Sequence, residues 1–220
     1  VMAAGGQVHW CADADAARDK ITEICKAASA KTVTKSKSMI GEEIAINSHL
    51  ESKDITPVET DLGEYIIQLR KEPPSHIIAP AIHVPKEAVA DVFRDTHTHL
   101  DPARSLEDPR ALVDEARSML RQKYLDADVG ITGANFLVAE TGSTVIVTNE
   151  GNGDLTQSLP DIHIVLASLE KVVPTLEDVS TILRLLARSA TGQEFSAYTT
   201  FSTGPKRSDD LDGPAQFHVV

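Results

Sequence analysis

A loop of alternating lysine and serine is the first stretch whose chemistry stands out. The segment KSKSM follows a β-branched stretch and precedes the acidic start of a helical segment. A loop that leads into a helix exposes unpaired N–H groups, and ammonium and hydroxyl groups beside them complete an anion site. The candidate ligand-binding residues are therefore Lys35, Ser36, Lys37 and Ser38. The alternative is a solvated turn, in which the lysines extend into water and Ser38 caps the helix.

A second polar group is the acidic segment ETDLGE. Asp61 and Glu64 have the spacing of a capping box at a helix N-terminus, which favours a structural role for both. Glu59 lies two positions before Asp61, so on an extended chain the two carboxylates point the same way. Like charges on one side call for solvent or a cation, and Lys35 or Lys37 is a possible partner. Asp61 and Glu64 are retained as candidate ligand-binding residues.

A third group lies in the glycine-rich segment 130–152. A hairpin turn explains Gly142, but it does not explain the amides and carboxylates around it. Asn and Gly together supply left-handed backbone positions and side-chain hydrogen bonds, as a rigid polar pocket requires. The candidates are Thr132, Asn135, Glu140, Thr141, Asn149, Glu150 and Asn152. Glu140 is also a candidate nucleophile, base or cation partner, although a purely structural turn remains the alternative.

The histidines do not predict a metal site. His97 and His99 lie two apart on a polar segment with Asp101 nearby, and a firm third ligand is missing. His76 and His83 flank an apolar stretch, and His163 lies inside another. Such histidines are more often hydrogen-bonded core or rim residues than catalysts.

Helical and extended segments alternate along the chain, which positions these groups. Helices are predicted at 13–29, 42–52, 62–71, 85–94, 111–127 and 175–189, and strands at 31–35, 56–60, 75–83, 128–132, 136–140, 144–149, 162–168 and 195–203. The apolar strands predict a mainly parallel sheet covered on both faces, a three-layer α/β fold with an antiparallel hairpin at 136–149. Residues 95–108 form its least regular connection. Ligands gather at the carboxyl ends of parallel strands, so the polar loops are expected to meet in one crevice.

Composition excludes several functional classes. The chain has 220 residues and a formal net charge of −12, which argues against nucleic acid or an anionic membrane as the main partner. Its two cysteines form neither a disulfide framework nor a cluster motif, which is typical of a reduced compartment. No apolar run reaches membrane-spanning length, and no secretory leader is recognised at the start. The expected location is the cytoplasm.

Several of these segments, taken together, resemble a known family. KTVTKSKSMIGEEIAINSHLE, VETDLGEYIIQL, PPSHIIAPAIH, DVGITGANFLVAETGSTVIVTNEGN, EKVVPTLEDV and TGPKRSDDLDGPAQFHVV are similar to the LUD domain of the lactate-utilisation protein B family. The resemblance covers residues 5–220 as a single domain. It implies a fold like that of the NagB, RpiA and CoA-transferase enzymes, which agrees with the α/β pattern.

The resemblance also implies a function. Members of the family act in the cytosolic oxidation of L-lactate to pyruvate, as one subunit of an iron–sulfur assembly. In the family the clusters belong to a cysteine-rich region that follows the LUD domain, so no cofactor is expected in these residues. The expected partners are the other subunits and a small anionic metabolite. The alternative is a stand-alone enzyme of the CoA-transferase or sugar-phosphate type, with Glu140 as its nucleophile.

Overall fold

The structure is a computed structural model that describes residues 1–75, 79–148, 150–194, 196 and 198–220. The α-helices are α1 Ala14–Ala27, α2 Met39–Glu43, α3 Ile46–Glu51, α4 Leu62–Arg70, α5 Lys86–Thr96, α6 Pro109–Leu125, α7 Asn152–Ser158 and α8 Leu176–Thr191. The strands are β1 Gln7–Val8, β2 Thr32–Ser36, β3 Thr56–Glu59, β4 Val129–Thr132, β5 Phe136–Val138, β6 Ser143–Thr148, β7 Ile162–Val165, β8 Val172–Val173, β9 Tyr198–Ser202 and β10 Gln216–Val219. Short 3₁₀ turns span Met2–Ala4 and Leu169–Lys171.

Six strands form the central sheet, in the order β1-β10-β7-β4-β2-β3. Every pairing between neighbours in this sheet is parallel. The predicted mainly parallel α/β fold is therefore confirmed. The carboxyl ends of β2, β3 and β4 lie side by side, because Lys35 is in register with Glu59 on one side and with Ile131 on the other.

Both faces of the central sheet are covered. On one face Val33, Ile131 and Ile164 pack with Ile21 and Leu50, which belong to α1 and α3. The other face receives α7, which approaches β4 so closely that a Cβ on Gly130 would meet the carbonyl oxygen of Thr156 at 1.9 Å. Glycine in the middle of this strand therefore admits the helix.

The predicted hairpin is present, but it belongs to a second sheet. β5 and β6 pair antiparallel within a four-stranded sheet of order β8-β5-β6-β9. The hairpin is joined by β8 and β9, which come from later parts of the chain. Helix α8 packs on this sheet through Val179, and it begins with a capping box formed by Thr175 and Asp178.

Three local predictions differ from the structure. The helix expected at 42–52 is two short helices, because Ala45 adopts a left-handed conformation with φ 51°. Where a strand was expected at 75–83, residues 75 and 79–83 form bends and turns, and 76–78, which include His76, lie outside the described residues. Helix α7 was not predicted, since its sequence NGDLTQS has the composition of a loop.

The connection at 95–108 is held to the core by one of its residues and does not lie wholly on the surface. The ring of His97 is 2% exposed, and its Nε2 lies 2.9 Å from the hydroxyl of Tyr65. Its Nδ1 lies 2.7 Å from Glu115, whose carboxylate also accepts two hydrogen bonds from Arg104. His97 is therefore a hydrogen-bonded core residue.

Candidate functional site

The lysine–serine loop leaves the end of β2 in a constrained conformation. Lys37 has φ 47°, a left-handed backbone that is uncommon for residues other than glycine. Gly133, which follows β4, packs against this turn, and a Cβ there would lie 2.4 Å from the carbonyl oxygen of Lys37. Strained residues held by close packing are concentrated at functional sites. The GITGANF segment thus uses one of its glycines to hold the loop.

A cavity of about 710 Å³ opens beside Lys37. Its floor is the strand ends, with Lys37 and Asp61, and its walls come from the second sheet and α8. The wall residues include Asn135, Val147, Thr148, Ala187, Thr191 and Tyr198. The volume is within the range of small-molecule sites. We call this cavity the lysine cavity.

Lys37 and Asp61 form an ion pair in the lysine cavity, with 2.6 Å between Nζ and Oδ2. Asp61 also caps α4, because its Oδ1 accepts a hydrogen bond from the N–H of Gly63. The side chain of Lys37 is 22% exposed and that of Asp61 is 19% exposed. The pair is therefore reachable from the cavity.

Two further candidates lie close to this pair. Partial burial and the neighbouring Asp61 raise the pKa of Glu150 above its ordinary value, despite the opposing effect of Lys37. Asn135 lines the lysine cavity, and its Oδ1 accepts a hydrogen bond of 2.8 Å from the N–H of Val147. That bond fixes the amide and leaves its NH₂ group as the donor available to a ligand.

Lys35 lies away from the lysine cavity. Its side chain is 1% exposed, and its Nζ is 2.9 Å from Glu59 and 2.5 Å from Glu42. Burial lowers the pKa of Lys35, but the carboxylates of Glu59, Glu64 and Glu42 outweigh that effect and raise it. Lys35 is therefore charged and already paired, so it has no free face for an anion.

The carboxylates around Lys35 line a second, smaller cavity of about 160 Å³ between α2, α3 and α4. Burial and the nearby Glu59 raise the pKa of Glu64 to about 8. Glu64 does not complete a capping box with Asp61, as its spacing had suggested, since it turns toward Glu59 instead. We call this second cavity the glutamate cavity.

Four other candidates are buried and line neither cavity. Ser38 caps α2, with its Oγ accepting a hydrogen bond of 3.0 Å from the N–H of Gly41. Ser36 is fully buried at the end of β2. Thr132 lies 2.8 Å from Nε2 of His163. Asn152 begins α7, where its Oδ1 accepts a hydrogen bond from the N–H of Gly153.

The hairpin turn is separate from both cavities. Glu140 is exposed, and its Oε2 accepts a hydrogen bond of 3.2 Å from the N–H of Leu176 at the start of α8. The hydroxyl of Thr141 bonds to Ser143 within the turn. Neither Glu140 nor Thr141 lines the lysine cavity or the glutamate cavity. Asn149 lies outside the described residues.

Sequence reasoning missed two residues that complete the cluster around Lys35. Glu42 was assigned only to the first turn of a helix, and Asn47, whose Nδ2 lies 2.5 Å from Glu59, was not considered. Strand periodicity offered a way to find them. Lys35 follows Val33 by two residues, so its side chain leaves β2 on the same face, toward α1 and α3.

The two cysteines do not fit an iron–sulfur cluster, which requires several thiolate ligands in close array. Cys25 packs in the apolar core beneath α1, and burial raises the pKa of its thiol to about 12. Cys11 is half-buried, and burial also raises its pKa. No step is therefore assigned to a cluster held by these residues.

Comparison with known proteins identifies the family. The model of the LUD domain matches residues 1–220. Lactate utilization protein B from Anoxybacillus flavithermus is 47% identical over 98% of this chain and 45% of that protein. Its namesake from Bacillus subtilis is 45% identical over 98% of this chain and 44% of that protein, so the chain spans less than half the length of either. A crystal structure of a DUF162 family protein from Deinococcus radiodurans aligns over 92% of this chain and 96% of that one, with 17% identity and a TM-score of 0.36. This chain belongs to the LUD domain family.

Proposed function

We propose that this LUD domain acts in lactate utilisation, in the oxidation of L-lactate to pyruvate, and binds a small carboxylate or phosphate in the lysine cavity. The relatives named lactate utilization protein B support the process, and they match this chain along nearly all of its length. The Lys37–Asp61 pair at the strand ends is the observation that carries the binding site.

The chemistry of a 2-hydroxy acid suits this pair. The ligand carboxylate would accept hydrogen bonds from the ammonium of Lys37, while its hydroxyl would donate to Asp61. The NH₂ group of Asn135 supplies a further donor to the carboxylate. Because the backbone of Lys37 is held in place by Gly133, little conformational freedom of the loop is lost when a ligand binds.

The partners we propose are the other subunits of an iron–sulfur assembly. The surface offers apolar side chains on α8 and on β9, which is an edge strand of the second sheet. They include Ile182, Leu185 and Phe201, exposed by 37%, 62% and 46%. We propose that a partner subunit covers these side chains, since a contiguous apolar patch is what marks an interaction surface. No helix in the described ranges is both long and apolar enough to cross a bilayer.

The transferase alternative gains no support from the placement of Glu140. A nucleophilic carboxylate must reach the bound substrate, and Glu140 lines neither of the two cavities. Its carboxylate instead accepts a hydrogen bond at the N-terminus of α8, where an acidic group stabilises the helix dipole.

Calorimetric titration with L-lactate, pyruvate, phosphate and sulfate tests the proposed site. We expect Lys37→Ala to weaken binding by about 10-fold to 100-fold, since a hydrogen bond to a charged group contributes about 1.5–3 kcal/mol. Lys53→Ala removes an exposed lysine from a turn and serves as the matched control. If none of these anions binds, or if both variants bind as the original protein does, the anion site is wrong.

A further inference from the structure

The glutamate cavity contains an arrangement of oxygen donors that the lactate proposal does not use. Glu42 projects from α2, Glu59 from the end of β3 and Glu64 from the first turn of α4. One carboxylate oxygen from each residue lies within 4.8 Å of the other two. Oxygen ligands about 2.4 Å from one calcium ion lie at most about 4.8 Å apart, and the three carboxylates meet this limit.

Several polar atoms in this cavity lack a hydrogen-bond partner among the described residues. They are Oε2 of Glu59, Oε2 of Glu64 and Oδ1 of Asn47. Glu59 is only 3% exposed, so its free oxygen faces the interior rather than bulk solvent. Its other oxygen, by contrast, accepts hydrogen bonds from both Lys35 and Asn47. Buried polar atoms without partners are uncommon, and a proton shared between Glu59 and Glu64, a water or a bound ion can satisfy them.

The charge of the cavity determines which kind of ligand fits. Lys35 neutralises one of the three carboxylates, so two negative charges remain uncompensated when all three are ionised. The cavity wall adds Glu43 and Glu72, of which Glu72 is paired with Arg70 at 2.6 Å, and the described wall residues include no lysine or arginine. An anion is therefore repelled, whereas a cation with two positive charges balances the cluster.

We propose that Glu42, Glu59 and Glu64 bind a divalent cation, with Asn47 as a further oxygen ligand. Carboxylate and amide oxygens without nitrogen or sulfur ligands select hard cations, namely Mg²⁺, Mn²⁺ or Ca²⁺. Lys35 stays in the second sphere, hydrogen-bonded to oxygens of Glu42 and Glu59. The ion would join α2, β3 and α4 at the strand ends, next to the lysine cavity, with which the glutamate cavity shares Pro80.

Titration with Mn²⁺, followed by electron paramagnetic resonance and calorimetry, tests the site directly. We expect saturable binding of one ion per chain, displaced by excess Ca²⁺ or Mg²⁺, and a melting temperature that rises with ion concentration. Glu64→Gln keeps the shape of the side chain but removes its charge, and it should weaken Mn²⁺ binding at least tenfold. Glu42→Gln, whose side chain is 41% exposed, is a second variant should Glu64→Gln fail to fold.

Glu43→Gln is the matched control, because Glu43 lines the same cavity without belonging to the cluster of three. It should bind Mn²⁺ within twofold of the original protein. No saturable binding at millimolar Mn²⁺ would overturn the site, and so would equal weakening by Glu43→Gln and Glu64→Gln. These measurements use the metal alone, so their result is independent of whether lactate binds beside Lys37.

Discussion

Replacing Lys35 with methionine tests whether this lysine is a structural charge rather than an anion ligand. Methionine keeps most of the buried aliphatic stem and removes the ammonium that contacts Glu59 and Glu42. Loss of one partner from a buried ion pair costs about 3–5 kcal/mol, because the other charge remains buried without compensation. That is a large fraction of the stability of an ordinary domain.

Urea unfolding at neutral pH measures this loss. A destabilisation of about 4 kcal/mol, with a slope of about 2 kcal/mol per molar urea, lowers the unfolding midpoint by about 2 M. Lys37→Met is the matched control from the same loop. Its pair with Asp61 is partly exposed, so the variant should lose about 0–1 kcal/mol.

The double variant Lys35→Met with Glu59→Gln separates charge from packing. Once both charges are gone, the cost of burying Glu59 without a partner disappears, so the double variant should be more stable than Lys35→Met alone. The reasoning is refuted if Lys35→Met costs less than about 1 kcal/mol, the value of an exposed pair. It is equally refuted if removing Glu59 adds its full separate cost to that of Lys35→Met.

Two further predictions concern buried contacts near the strand ends. Burial lowers the pKa of His163 to about 3. Below about pH 6.5 this histidine is therefore protonated in the unfolded chain but stays neutral in the folded chain. The free energy of unfolding then falls by up to about 1.4 kcal/mol for each pH unit of acidification. In His163→Gln the pH dependence that this histidine contributes is absent. The urea midpoint of the variant should therefore fall less steeply from neutral to acidic pH than that of the original protein. Parallel plots of midpoint against pH for the two proteins would contradict this. Gly133→Ala places a Cβ 2.4 Å from the carbonyl oxygen of Lys37, and overpacking should cost about 1–3 kcal/mol and weaken anion binding. Gly151→Ala is the control, because an added Cβ there meets open space, and it should change neither stability nor anion binding. If both variants change the unfolding midpoint and the titration equally, the packing argument is refuted.

Part of the central sheet could be predicted, because β2, β3, β4 and β7 are buried on both faces, whereas β1 and β10 were not predicted as strands. Segments such as IHIVLAS carry apolar residues without alternation, and helices separate them, which together indicate parallel pairing. The second sheet could not be predicted in the same way. Apart from the local hairpin of β5 and β6, its strands β8 and β9 pair with that hairpin across long separations, and β8 is only two residues long. Such pairing depends on tertiary packing rather than on a local pattern.

The candidate site was predicted in part. Three of the candidates, Lys37, Asp61 and Asn135, do line one cavity at the strand ends. Glu140 does not, because β5 carries the chain from Asn135 away to the hairpin turn. Sequence reasoning assigned both lysines to one anion site, and it took no account of the strand face from which Lys35 projects. It also predicted no metal site, since it considered only the histidines as ligands.

The division of charge between the two cavities follows from the backbone at one residue. On a continuous strand Lys35 and Lys37 would point the same way, as would Glu59 and Asp61. The left-handed turn at Lys37 ends that alternation, and Asp61 leaves β3 to cap α4. Each lysine therefore forms an ion pair with a different carboxylate, Lys35 with Glu59 and Lys37 with Asp61. The prediction that both carboxylates share one side is wrong for this reason. A few residues at the ends of two adjacent strands thus supply a partly exposed pair, for which we propose an anion, and a carboxylate cluster around the buried Lys35, for which we propose a cation.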